Sequence, residues 1–408
     1  MISSAYQAQS DLTDPFRAFA EQALANVRGI VTGLNGYAGH TPFGAIAAGF
    51  EMVSRAKLTH ARPSFNIPSV MVGNREVAVV EQPAMQTSFG TLLHFKKDIE
   101  TAQPRVLVVA PLSGHFATLL RETVKTLLTD HDVYITDWHN ARDVPVSAGR
   151  FGFDEYVDHL MRFLETMGPG AHVVAVCQPC VAALVAASVM AKNGMKALPK
   201  SLTLMAGPID CRINPTKVND LATGKSIDWF EKNLISVVPP QHKGSGRRVY
   251  PGFVQLSAFM SMNMDRHVKA HMDLYQNLAR GEFEKAKATK DFYDEYFAVL
   301  DLTAEFYLET VQYIFQEFRL PKGELTFQGE KVEPKAIRKM SLLTVEGERD
   351  DICALGQTMA AQELCSGLKP YRKRHHMQAG VGHYGVFSGK RWNTQIYPIL
   401  RNTILAAE

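Results

Sequence analysis

The chain has 408 residues, 44 Lys and Arg against 41 Asp and Glu for a formal charge of +3, and 46% hydrophobic and 21% charged residues. This is the balance of an ordinary soluble globular protein, long enough for one large domain with insertions. The mild charge excludes dedicated nucleic-acid binding, because the densest basic run, Arg372-Lys373-Arg374-His375-His376, reads as a solvated strand edge. Five scattered cysteines (177, 180, 211, 353 and 365) make no disulfide framework and fit a reducing compartment. The segment Met1-Ile2-Ser3-Ser4-Ala5-Tyr6 lacks a basic start, and Asp11, Asp14 and Arg17 interrupt any apolar run, so neither a secretion signal nor a membrane span is expected.

In chain order, Phe16, Phe19, Ala20, Ala23, Leu24 and Val27 recur at helical spacing, giving an amphipathic helix over Asp14 to Ile30 capped by Asp14. Gly33 to Pro63, rich in Gly and Ala, reads as irregular. Glu76 to Val80 and Thr91 to Phe95 read as a strand pair. Strands then alternate with helices: strand Arg105 to Ala110, helix Phe116 to Leu128, strand Val133 to Thr136, helix Phe153 to Met167, strands His172 to Val176 and Ser201 to Met205. After a long interval come strands Ser341 to Val345 and His375 to Gln378 and a terminal helix. Such alternation predicts a doubly wound, mostly parallel α/β sheet.

Between Gly207 and Lys339 the period becomes helical throughout, with a loop marked by Pro239-Pro240 and Gly244 to Gly246. The reading is a helical cap inserted at 207–339, a core of 76–206 and 340–408, and an N-terminal helical extension over 1–75. Phe292, Tyr293, Tyr296, Phe297, Phe306, Tyr307, Tyr313, Phe315 and Phe318 are in large part helix core. Met260, Met262, Met264 and Met272 add an adaptable apolar surface, and where these side chains face the core the substrate is apolar.

The run from Ala171 to Ala191 joins a β-branched strand to an apolar helix, with Cys177 at the corner. A thiol there has its thiolate stabilised by the helix N-terminus. Ala175 and Pro179 are the small residues two before and two after it, and Pro179 suits the first helical position. Cys177 and Cys180 also spell C-x-x-C, a pattern of redox pairs and zinc half-sites, yet no second C-x-x-C and no paired histidine motif accompanies it. Cys180 reads as a small helix-packing residue, with a resolving thiol as the alternative.

A cysteine nucleophile needs a base and an orienting acid, following it in the order nucleophile, acid, histidine. His383, in the glycine-flanked loop Gly382-His383-Tyr384-Gly385 after the last strand, is the best base. His267 and His271 have i,i+4 spacing but lack the glutamate of H-E-x-x-H. Asp350, after strand Ser341 to Val345, is the chosen acid, with Asp351 and Asp210 as alternatives and a helix cap as the structural role for either of the pair 350–351. The oxyanion hole is expected from the backbone N–H groups of Gln178 and of Ser113 in Pro111-Leu112-Ser113-Gly114-His115, with His115 lining the pocket.

Val176-Cys177-Gln178-Pro179, Val345-Glu346-Gly347-Glu348-Arg349-Asp350-Asp351-Ile352 and Gly382-His383-Tyr384-Gly385-Val386-Phe387-Ser388-Gly389 together resemble the intracellular polyhydroxybutyrate depolymerases, a likeness that runs over nearly the whole chain. The resemblance implies an α/β-hydrolase fold, a triad of Cys177, Asp350 and His383, and hydrolysis of amorphous poly(3-hydroxybutyrate) in cytoplasmic granules to oligomers or 3-hydroxybutyrate. No metal or organic cofactor is required by that chemistry, the expected partner is the polyester granule, and a homo-oligomer is left open. The related polyhydroxyalkanoate synthases are the alternative, but their elbow resembles G-x-C-x-G where this chain has Ala175 and Pro179. A non-catalytic granule-binding protein is the further alternative.

Overall fold

The computed structural model describes residues 17–25, 42–55, 58–262 and 264–408. A nine-stranded sheet forms its centre: β1 (Ser69–Val72), β2 (Arg75–Gln86), β3 (Gly90–Lys97), β4 (Arg105–Val109), β5 (Asp132–Trp138), β6 (His172–Val176), β7 (Ser201–Met205), β8 (Ser341–Gly347) and β9 (Lys373–Gln378), in the spatial order β1-β2-β3-β5-β4-β6-β7-β8-β9. The pairs β1/β2, β2/β3 and β3/β5 are antiparallel, and every later neighbour is parallel. β2 alternates exposed and buried residues in its first half, as a strand with one wet face must, whereas β6 and β7 are buried along their whole length.

The alternation of side chains divides the core in two. Leu107 and Val109 of β4, Val173 and Ala175 of β6, and Leu202 and Leu204 of β7 join the cluster under α3 (Phe153–Met167) and α4 (Cys180–Lys192). Their neighbours Val106, Val108, Val174, Val176 and Met205 join the opposite cluster, under α2 (Arg121–Leu127) and α8 (Tyr397–Ala407). Each such fully buried aliphatic side chain contributes about 1.5–3 kcal/mol, which sets the strand register firmly. α4 carries apolar residues on every face because it is covered all round, and it stops where Asn193 and left-handed Gly194 follow Lys192.

Between β7 and β8 lie α5 (Gly252–Met262), α6 (Met264–Ala279), α7 (Phe283–Tyr296) and shorter helices. The expectation of helices throughout this interval needs correction. Ser236–Val237, Arg248–Tyr250 and Leu302–Thr303 form a small antiparallel sheet, and Thr326–Phe327 pairs with Glu330–Lys331. Strands of two or three residues are too short to leave a period in the sequence.

A second correction concerns Gly33 to Pro63. Pro42–Arg55 is a helix, α1, packed against α6, with Ala48 beside Leu274, Leu278 and Ala286. The small side chain of Ala48 is what allows close packing there. Glu51 anchors the helix through Lys290 of α7 at 2.7 Å. Residues 17–25 are helical, as expected, while Asp14, Phe16 and Val27 lie outside the described residues. No described helix is long and apolar enough to cross a membrane.

Candidate active site

β6 ends at Val176, and the chain turns at Cys177 with a φ of +66°, a left-handed conformation that L-residues adopt only at a cost. The turn is held on both sides. Cys177 N–H donates to the Met205 carbonyl at 2.8 Å, and Cys180 N–H donates to the Cys177 carbonyl at 3.1 Å. α4 begins at Cys180, so Pro179 is the residue just outside the helix rather than its first member. The corner exposes the Cys177 thiol partly, while Cys180 is buried and donates its S–H toward the Ala175 carbonyl at 3.3 Å. Burial raises the Cys180 thiol well above its ordinary range, with the Cys177 charge adding to it. Cys180 is an inert thiol, and all five cysteines are free.

Gly207, just past β7, passes so close to Cys180 that the two chains meet almost backbone to backbone. Thr358 locks this crossing: its hydroxyl accepts from Gly207 N–H at 2.8 Å and donates to the Gly207 carbonyl at 3.0 Å.

The loop after β8 presents Asp350. Its Oδ1 accepts from the Ile352 and Cys353 N–H groups at 2.9 and 2.8 Å, leaving Oδ2 to accept from His383 Nδ1 at 2.8 Å. No helix follows Asp350, the next beginning at Ala361, so the structural role expected for it is that of a turn rather than a helix cap, and one carboxylate serves both the turn and His383. The histidine loop is tied to the acid loop by Arg349 N–H on the Val381 carbonyl and by Gly380 N–H on Glu348 Oε2. Burial disfavours charge on His383, yet Asp350 and then Cys177 outweigh it and raise its pKa well above the usual histidine value. Cys177, Asp350 and His383 are therefore brought together from the ends of β6, β8 and β9.

The alternatives fall elsewhere. Asp210 is held by its own neighbour Arg212 at 2.7 Å, and Asp351 is exposed. His267 donates or accepts with the Tyr293 hydroxyl, and His271 bonds the His267 carbonyl within α6. Among the described residues no group of His, Cys, Asp and Glu could hold a metal ion. His115 is fully enclosed and stacked on Tyr296 with ring centroids 5.1 Å apart, and burial pulls its pKa down to about 4, so it stands neutral. Gln178 and Ser113 flank Cys177 and the loop after β4, and among the described residues neither backbone N–H has a protein acceptor.

One residue escaped the reading of the sequence. Glu346, buried in β8, accepts from the N–H groups of Gly356, Thr358 and Met359 at 2.8–3.0 Å and so fixes the loop beyond Asp350. A glutamate closing the apolar strand Leu342-Leu343-Thr344-Val345 is the signal that marked it. Above the site, Tyr293 and Tyr296 of α7 form a cluster with Phe292, which meets Tyr384 edge-on at 5.9 Å beside His383. On the far side of this wall Met52, Met260, Met264, His267, Val268, Met272 and Tyr275 line an apolar groove of about 710 Å³.

A sheet of this order, with a left-handed elbow after a central strand and an acid and a histidine delivered by loops after the last two strands, defines an α/β-hydrolase. Residues 206–408 match the family described as PHB de-polymerase C-terminus. The match supports ester hydrolysis as the reaction class. No curated protein matches the chain. Similar solved structures include one described as a lipase of Acinetobacter baumannii AYE, 15% identical over 80% of this chain and 93% of that one, with a TM-score of 0.44. The Paleococcus ferrophilus monoacylglycerol lipase is 13% identical over 75% and 97%, with a TM-score of 0.43. The 2-hydroxy-6-oxo-6-phenylhexa-2,4-dienoate hydrolase of Rhodococcus sp. strain RHA1 is 11% identical over 81% and 99%, with a TM-score of 0.41.

Proposed function

We propose that this protein hydrolyses the ester bonds of poly(3-hydroxybutyrate) in cytoplasmic granules through a cysteinyl acyl-enzyme. The observation that carries the reading is the buried His383–Asp350 pair at 2.8 Å beside a thiol on a left-handed elbow. The raised basicity of His383, held by Asp350, suits it to take the proton of the Cys177 thiol. Cys177 thiolate adds to the ester carbonyl, and the backbone N–H groups of Gln178 and Ser113 receive the oxyanion. Collapse breaks the carbon–oxygen bond while His383 gives its proton to the departing hydroxyl, leaving a thioester. His383 then takes a proton from water, the resulting hydroxide adds to the thioester, and thiolate leaves a chain ending in a carboxylic acid. Asp350 fixes the ring tautomer and balances its charge throughout.

The insertion over 207–339 acts as the cap in this scheme, on a core of 76–206 and 340–408 with residues 1–75 as an extension. Tyr296 and Phe292 of its helix α7, beside Tyr384 next to His383, give the site an apolar wall, which supports an apolar polyester over a charged substrate.

Native granules incubated with wild type should release 3-hydroxybutyrate or its oligomers, and with Cys177→Ala they should release none. Release by the variant overturns the triad, and polymer growth from hydroxybutyryl-CoA without net loss overturns hydrolysis.

A further inference from the structure

The loop that follows β4 is gripped from two directions. On the cap side, Leu300 N–H donates to the Gly114 carbonyl at 2.8 Å, and His115 forms a β-bridge with Val299. Gly114 sits at φ +96° with Gln255 of α5 so near that an added β-carbon would be 3.0 Å from it. On the elbow side the grip is a side chain. Gln178 Oε1 accepts from Leu112 N–H at 3.4 Å, in a buried setting.

The other end of the same carboxamide is anomalous. Gln178 is 7% exposed, and its Nε2 is enclosed without any hydrogen-bond partner among the described residues. A buried amide with an idle donor is costly, so packing alone would favour methionine or leucine at this place. The acceptor end must therefore contribute something that an apolar side chain of equal length lacks.

We propose that the Gln178 carboxamide is a positioning residue for the oxyanion site: it latches the Leu112–Gly114 loop to the elbow so that the Ser113 and Gln178 N–H groups keep a fixed separation. Leu112 N–H is occupied by the latch, which leaves the next N–H, that of Ser113, for the substrate. The sequence-adjacent backbone and side chain of one residue thus serve the two halves of the same hole. The inference rests on the acyl-enzyme reading of Cys177.

The test uses the full chain, p-nitrophenyl butyrate as a soluble ester, and iodoacetamide alkylation of Cys177 as a measure of the nucleophile and its surroundings. Gln178→Met removes the acceptor and should lower kcat about ten- to hundredfold, the range in which a displaced oxyanion donor falls, with KM and the alkylation rate within about twofold of wild type. Gln178→Glu keeps an acceptor for Leu112 N–H and should restore most of the loss at the plateau of its own pH profile. Wild-type kcat in Gln178→Met overturns the latch, as does a Gln178→Glu plateau as low as that of the methionine variant. Should Gln178→Met fail to fold, the Gln178→Glu plateau against wild type decides alone. Cys177→Ala run alongside separates the two claims: activity in that variant removes the acyl-enzyme itself, whereas an inactive Cys177→Ala beside a fully active Gln178→Met removes only the latch.

Discussion

Cys180 fills the space in which a β-carbon on Gly207 would lie, 2.2 Å from the Cys180 Cβ and 2.3 Å from its Sγ. The close crossing that results is what lets the Met205 carbonyl reach the Cys177 N–H. Gly207→Ala should therefore destabilise the fold by about 2–3 kcal/mol, the upper range for overpacking. Cys180→Ala should not rescue it, since the clash is with Cβ as well. Urea unfolding of the single and double variants checks this, and an unchanged midpoint in Gly207→Ala would refute the crossing.

The left-handed backbone at Cys177 stores strain that only glycine escapes. Both Cys177→Ala and Cys177→Gly should be inactive. The glycine variant should nevertheless unfold about 1 kcal/mol later than the alanine variant, from backbone relief at a positive φ. Equal stabilities in thermal and urea unfolding would remove the strain from the account.

His383 binds its proton more tightly when folded than when unfolded, against burial, because of Asp350 and Cys177. Its contribution to stability is complete below the unfolded value of 6.5 and is lost as pH rises through the higher folded value. Stability should thus fall with pH above about 6.5, and Asp350→Asn should flatten that slope. The same variant should move the alkaline limb of kcat to lower pH, since the imidazolium that protonates the leaving group is no longer supported. Its kcat should fall by at least about a hundredfold. An alkaline limb unmoved by the substitution counts against His383 as the acid.

Glu346→Leu leaves the N–H groups of Gly356, Thr358 and Met359 without their acceptor, that of Thr358 in the interior and the other two half-buried. A loss of about 1–3 kcal/mol is expected from the one fully buried donor left unpaired. Asp350 lies on the same loop, so kcat should drop while Cys177 alkylation continues. A variant as stable as wild type would show that water replaces the carboxylate.

The central strands were legible because β4 and β6 are valine-rich and β7 is a short apolar run, all buried on both faces, a composition that survives without any knowledge of their neighbours. The candidate site was legible for a different reason: chain order and glycine-flanked loops singled out Asp350 and His383 after Cys177. α1 was not, since Gly and Ala weaken the local helical signal and its stability comes from α6 and α7. Pro179 was displaced by one residue because the elbow, and not proline geometry, decides where α4 starts. Glu346 and the Cys180–Gly207 contact depend on which strands lie side by side, and spacing along the chain carries no trace of that.

The segment Phe297 to Asp301 bonds Thr59 on one flank, with Val299 N–H on its carbonyl at 2.7 Å, and Gly114 on the other. Asp301 fastens it further to Arg142 at 3.0 Å and to Gly252 N–H at 2.9 Å. This segment could not lift as a rigid body without dragging the Gly114 loop with it. Any displacement of this segment is therefore mechanically coupled to the loop that carries Ser113, and the two move together or break the Leu300–Gly114 bond.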